Sequence, residues 1–168
     1  MSHTERLYGS VIGWEGWQFV VLSSTRGVHS LDLHGTSFAA LSARLKAHVV
    51  PDDYRNTTVL RELREYLAGN RKAFSASLDI DGTPFQKSVW EAILTIPYGE
   101  TLSYVEVATM VGRPTATRAV GQAVGANPVP IIIPCHRVIG KNGSLTGYGG
   151  GLPLKERLLA LEQGSLDL

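Results

Sequence analysis

The sequence predicts two joined domains, a small α/β unit over residues 1–82 with an antiparallel sheet and helices, and a mainly α unit over residues 83–168. Short runs of alternating apolar residues around glycine turns mark the first, and amphipathic stripes broken by Gly and Pro mark the second. Between them Asp81-Gly82-Thr83-Pro84 is turn chemistry, where one pattern gives way to the other. With 168 residues, 43% of them hydrophobic and 18% charged, the chain can bury a core and is not of disordered composition.

From Leu7 to Leu33 the pattern is β-like. Gln18–Ser23 and Val28–Leu33 flank Thr25-Arg26-Gly27 and read as an antiparallel hairpin, with Trp14 and Trp17 around Gly16 expected to close a small core. Ser37 to Val49 is helical in pattern, with Leu41, Leu45 and Val49 on one face. Val59 to Leu67 is a second helix stopped by Gly69, and the alternation of Phe74, Ala76, Leu78 and Ile80 predicts a third strand over Ala73–Gly82.

Past the boundary, Phe85, Val89, Trp90, Ile93 and Ile96 form the stripe of a helix ended by Pro97-Tyr98-Gly99. Ser103–Val111 is a short helix capped by Thr101 or Ser103 and stopped by Gly112; after Arg113-Pro114 a third runs from Thr115 to Gly125. Two short helices around a Gly-Arg-Pro turn match the helix-turn-helix pattern, whose second helix faces nucleic acid. That helix sets Ala116, Val120, Ala123 and Val124 on one face and Arg118, Gly121, Gln122 and Gly125 on the other. Each internal glycine costs about 1 kcal/mol relative to alanine, so close packing or the close approach of a partner backbone must compensate. An arginine on the same bare face favours the partner. Further on, Gly140-Lys141-Asn142-Gly143 is a hairpin signal, Gly147–Gly151 a glycine-rich loop without the Lys-Ser/Thr of a phosphate-binding loop, and Pro153 the start of a last helix reaching Glu162.

Charge is unevenly spread. The formal net charge is +1, yet the 49 residues between Glu106 and Glu156 hold no acid and five cations, Arg113, Arg118, Arg137, Lys141 and Lys155. A local positive field of this kind suits a phosphate-bearing partner. The one cysteine, Cys135, follows Ile131-Ile132-Ile133-Pro134 and precedes His136-Arg137. Apolar burial alone makes a thiol inert, whereas a neighbouring base or cation favours the reactive thiolate. Adjacent residues of an extended segment point to opposite sides, so His136 is not expected to touch the sulfur directly; a bridging water or a local turn would be needed to pass the proton, and a carboxylate such as Glu162 would orient the imidazole. One cysteine allows no internal disulfide and no multi-thiolate zinc site, and His3, His29, His34 and His48 lack ligand spacing. With no apolar run near the roughly 18 residues of a membrane span and no secretory leader pattern over Met1–Ser10, the expected place is the cytoplasm, or the nucleus of a eukaryote.

Pro134-Cys135-His136-Arg137-Val138 closely resembles the signature of the O6-alkylguanine-DNA alkyltransferases, the methylated-DNA–protein-cysteine methyltransferases. The resemblance extends through Pro97–Thr101, Ser103-Tyr104, Arg118–Gly121, Asn127-Pro128, Gly147–Gly150 and Leu158–Glu162, and so covers Thr83 to Glu162 in order. It implies a winged-helix-like, DNA-binding second domain and direct repair of O6-alkylguanine in double-stranded DNA by irreversible transfer of the alkyl group to Cys135, once per molecule. His136 and Glu162 would draw off the thiol proton, Tyr104 would donate to the guanine, and Asn127 would be the hinge before the cysteine segment. Arg118 would fill the stack left by a flipped nucleotide, with Ser103, Thr117, Gly121, Gln122, Gly125 and Arg137 at the DNA. Val138, Tyr148 and Gly149 would line the base pocket. The resemblance further implies no metal, no cofactor, no membrane partner and a monomer when free. Gly149 stands where some relatives have serine. Two other readings stay open at this stage: a module that binds alkylguanine without removing the alkyl group, and a cysteine hydrolase.

Overall fold

The computed structural model describes residues 4–164, and its contacts divide into two compact units that separate between Ile80 and Asp81, just ahead of the break expected after Gly82. His3 and the start of the leader reading over Met1–Ser10 lie outside the described residues.

The first unit is a four-stranded sheet in the order β3-β2-β1-β4, made of β1 (Arg6–Trp14), β2 (Trp17–Ser23), β3 (Val28–Asp32) and β4 (His48–Pro51). β1 and β2 pair antiparallel from Tyr8↔Ser23 to Trp14↔Trp17 around a tight Glu15-Gly16 turn, so the hairpin expected after Ser23 is the second of two. Trp14 and Trp17 do not close a core; they stack on each other at 5.6 Å on the hairpin end and stay half-buried. Phe19 to Ser23 are all buried, which requires cover on both faces of β2. Leu7, Val20 and Leu22 pack with Leu41 of α1 (Phe38–Leu45), while α2 (Thr57–Leu67) turns Val59, Leu60, Leu63 and Tyr66 inward.

Two further sequence expectations fail in this unit. The helix predicted to Val49 stops at Leu45, with Lys46 in a left-handed conformation, and Val49 instead sits in β4, parallel to β1 opposite Leu7. The strand predicted over Ala73–Gly82 reduces to a single bridge between Val28 and Leu78. Two of its amides are taken by the buried carboxylate of Glu62, which accepts from Ser75 N at 3.0 Å, Ala76 N at 3.1 Å and the Ser75 hydroxyl. Amides satisfied by a side chain need no strand partner.

The second unit begins with α3 (Pro84–Leu94). Thr83 and Gln86 form a reciprocal capping box, Val89, Trp90 and Ile93 are buried, and the Trp90 indole donates to the Ala123 carbonyl at 2.8 Å. α4 (Tyr104–Met110) opens on a second capping box, Ser103 with Glu106; after Gly112 at φ +73 comes α5 (Thr117–Gly125), which buries Val120, Ala123 and Val124. This is the expected helix-turn-helix, with α5 starting two residues late. β5 (Leu102–Ser103) pairs parallel with β6 (Val138–Ile139), Leu102 opposite Val138. The Gly140–Gly143 segment does turn, the Gly143 amide donating to the Gly140 carbonyl at 3.0 Å, but β6 is already paired with β5, and among the described residues no return strand completes a hairpin wing. α6 (Leu152–Gln163) closes the unit, buried along Leu154, Lys155, Leu158, Leu159, Leu161 and Glu162. None of the described helices is long and apolar enough to cross a membrane.

A buried thiol behind a helix-turn-helix

β5 runs into Tyr104 and β6 runs out of Arg137, so their pairing places the start of α4 beside the cysteine segment. That segment is not extended as expected. Cys135–Arg137 is one turn of 3-10 helix, entered through Ile131 at φ +74, a left-handed conformation that a β-branched residue takes at a cost of about 1–3 kcal/mol. Asn127, just past α5, holds the approach: its Nδ2 donates to the Ile133 carbonyl at 2.8 Å and its Oδ1 accepts from Val129 N at 2.9 Å.

Cys135 is 6% exposed. Burial pushes its thiol up to about 11, against the partial opposing pull of Asn127, of the Lys155 charge and of the Cys135 and His136 amides. At neutral pH the resting group is therefore the thiol. His136 is fully buried, and its Nε2 lies 2.7 Å from Oε1 of Glu162. An ionised carboxylate only accepts, so the proton between them belongs to Nε2, and the Nδ1 lone pair is left as the basic site of the ring. Burial holds the imidazole below its ordinary pKa, more than Glu162 raises it, and the Arg137 and Lys155 charges lower it further.

Arg137 was expected at the DNA surface and is instead inside. Its Nε donates to Glu162 Oε2 at 2.9 Å, its Nη2 to Oε1 at 2.8 Å and its Nη1 to the Ile96 carbonyl at 2.6 Å. With the Gly99 amide at 3.2 Å from Oε2, the carboxylate receives donors on both oxygens, and Arg137 cancels the charge that would otherwise draw a proton onto His136. Lys155, read in the sequence only as part of the positive field, is 1% exposed and donates to the Val138 and Thr146 carbonyls at 2.7 and 3.0 Å. Of the five cations in the acid-free stretch, Arg113, Arg118 and Lys141 are the exposed ones. A sequence signal for Lys155 existed: it stands seven residues before Glu162, on the same helix face, amid Leu154, Leu158 and Leu161.

The remaining expected residues divide between interior and surface. Val138 is buried, Tyr148 is half-buried with a buried, unpartnered hydroxyl, and Gly149 is exposed. Burial, and then the Cys135 charge, raise the Tyr148 phenol well above its ordinary value. The Tyr104 hydroxyl reaches the Thr146 carbonyl at 3.5 Å. Ser103 uses its oxygen to accept from Glu106 N at 3.2 Å. Arg118, Gln122 and Gly125 are exposed, with Thr117 and Gly121 half-buried. Packing does not explain the two glycines: a Cβ on Gly125 would meet nothing within 4 Å, and one on Gly121 only the Tyr104 ring at 3.9 Å.

Fold and site together define a helix-turn-helix protein with a single buried thiol backed by a histidine–carboxylate–arginine cluster. Residues 84–164 match the model of the 6-O-methylguanine DNA methyltransferase DNA binding domain. The inducible methylated-DNA–protein-cysteine methyltransferase of Bacillus subtilis is 42% identical over 162 residues, covering 94% of this chain and 90% of that one. The methylated-DNA–protein-cysteine methyltransferase of Mycobacterium bovis is 52% identical over 118 residues, covering 70% of this chain and 72% of its own. Among solved structures, Mycobacterium tuberculosis OGT in complex with DNA superposes with a TM-score of 0.82 at 41% identity, covering 95% of this chain and 93% of that chain. The chain belongs to the methylated-DNA–protein-cysteine methyltransferase family.

Proposed function

We propose that the protein repairs double-stranded DNA by moving an alkyl group from O6 of guanine to Cys135, irreversibly and once per molecule. The observation that carries this reading is the pairing of a bare, arginine-bearing helix face with a buried thiol whose approach segment is tied down by Asn127, just past the same helix. Glycines that nothing in the protein requires to be small permit close approach of a nucleic-acid backbone, and relatives crystallised with DNA support that partner. A thiol buried at the far end of that contact meets only a base taken out of the stack, which costs a few kcal/mol of unstacking. Arg118, exposed on the bare face, is suited to fill the vacated place.

In the reaction the Cys135 proton passes through a water to Nδ1 of His136, whose Nε2–H stays on Glu162. The sulfur attacks the alkyl carbon in line; the C–S bond forms as the C–O6 bond breaks, and its electron pair leaves on the guanine. The Tyr104 hydroxyl and the Gly149 amide face that growing charge, while the carbonyls of Cys135 and Val138 accept from the exocyclic amine. The product is a thioether, with no group in the cluster able to hydrolyse it. Titration of the protein with excess O6-methylguanine duplex tests the stoichiometry: repair stops at one equivalent per Cys135. Continued turnover would contradict the reading.

A further inference from the structure

The exposed face of α5 carries very little. Arg118, Gly121, Gln122 and Gly125 recur at the three- and four-residue spacing of one helix face, and Gln122 is the polar side chain that stands there beside the arginine. Its carboxamide makes no hydrogen bond among the described residues. A helix with its side chains is about 10–12 Å across, which suits the major groove of about 12 Å and not the minor groove of about 6 Å. On this one face α5 loses that thickness, because a Cβ on Gly121 would meet only the Tyr104 ring at 3.9 Å and one on Gly125 nothing within 4 Å. The bare face therefore fits the minor groove, with Gln122 aimed at its floor.

The base-pair edges are poorly distinguished there. A·T and T·A offer only acceptors, adenine N3 and thymine O2, and G·C adds one donor, the N2 amine of guanine. A carboxamide sets a carbonyl acceptor beside an N–H donor, so on a guanine edge it accepts from N2–H and donates to N3 at once. On an adenine edge its carbonyl is desolvated with no donor to meet it. About one turn of helix separates Gln122 from Arg118, roughly 6 Å of rise, which is fewer than two base-pair steps of ~3.4 Å. With Arg118 in the place vacated by the flipped nucleotide, Gln122 reaches a pair beside it. We infer that Gln122 is a specificity-determining residue: its side-chain amide reads the N2 amine of a guanine in a base pair flanking the lesion, so that O6-alkylguanine is repaired faster in a G·C context than in an A·T one. This rests on the proposed function for the lesion and for the place of Arg118.

The test uses duplexes identical except for the pair on one side of O6-methylguanine, which is G·C, inosine·C, A·T or 2,6-diaminopurine·T, with each flank varied in turn. Inosine removes only the N2 amine of guanine, and diaminopurine adds that amine to adenine, so the set isolates the minor-groove group from the rest of the pair. On the flank that Gln122 reaches, the parent is expected to transfer the alkyl group at least about fivefold faster from the duplexes that carry the amine, whereas Gln122→Ala and the longer Gln122→Met are expected to treat all of them within about twofold. Alanine and methionine are good helix formers at an exposed position, so both variants keep the fold. Equal rates or the reverse order in the parent on both flanks overturn the inference. So does an amine preference that survives in either variant, which would belong to the deformability of the DNA. A parent that transfers no alkyl group from any duplex refutes the proposed function instead, and the affinities of the same duplexes in a fluorescence titration then decide whether Gln122 reads the amine.

Discussion

Removing the Arg137 guanidinium while keeping bulk, in Arg137→Met, separates an internal role from a DNA-contacting one. In the parent, Arg137 and Glu162 meet through two hydrogen bonds of 2.9 and 2.8 Å with side chains 8% and 0% exposed, and a third bond of 2.6 Å satisfies the Ile96 carbonyl. Breaking one side of such a buried pair leaves an uncompensated carboxylate, at a cost of about 3–5 kcal/mol. For a unit of this size that lowers Tm by at least about 12 °C. His136 also loses a cation that holds its pKa down, so its imidazole becomes more basic and is protonated at higher pH than in the parent. Urea unfolding followed by circular dichroism measures the first effect, and NMR titration of the imidazole the second. Stability within about 1 kcal/mol of the parent, together with a salt slope of DNA binding reduced by about one, would refute the internal assignment and return Arg137 to a phosphate.

Other expectations follow from the same geometry. Arg118→Ala is expected to slow repair of duplex at least about tenfold while leaving reaction with free O6-methylguanine within twofold, measured as two parallel rate constants; equal losses would count against a stacking role. Gly121→Ala, entering a helix with only the Tyr104 ring at 3.9 Å, should raise stability by about 0.5–1 kcal/mol yet weaken duplex binding in a fluorescence titration, and unchanged affinity would remove the close-approach argument. Because the Cys135 thiol is raised in the folded protein, the folded state holds its proton more tightly than the unfolded chain does. That contribution is fully present below pH 8 to 9 and is lost as pH rises through about 11. Cys135→Ala should accordingly flatten part of the alkaline fall in stability, on the order of 2–3 kcal/mol; parallel pH–stability curves would show that the thiol is not raised.

Period and punctuation made most elements legible, because Leu41, Val59–Leu67, Val89-Trp90-Ile93 and Val120-Ala123-Val124 each mark one buried helix face. What escaped was decided at a distance. Val49 continues the helical spacing of Leu41 and Leu45, but pairing with Leu7 claims it for a strand. Ala73–Gly82 alternates like a strand, yet Glu62, thirteen residues before Ser75, takes the Ser75 and Ala76 amides. At the site, the sequence offers Glu162 as a carboxylate for His136 but does not establish the contact, since the two stand 26 residues apart. Arg137 and Lys155 were read as surface charge because a sequence carries no burial; their spacing to Glu162 and to the apolar stripe of α6 was the available sign. The turn of 3-10 helix at Cys135 comes four residues after a left-handed isoleucine, Ile131, and no propensity argument anticipates either.

The central claim, that this one sulfur accepts the alkyl group, is tested most directly by intact-mass and peptide mapping after incubation with an O6-methylguanine duplex. One methyl is expected to replace one hydrogen on the peptide containing Cys135, with the oligonucleotide returned to guanine. The same gain of mass in Cys135→Ala, or an oligonucleotide that stays methylated while tightly bound, would contradict it.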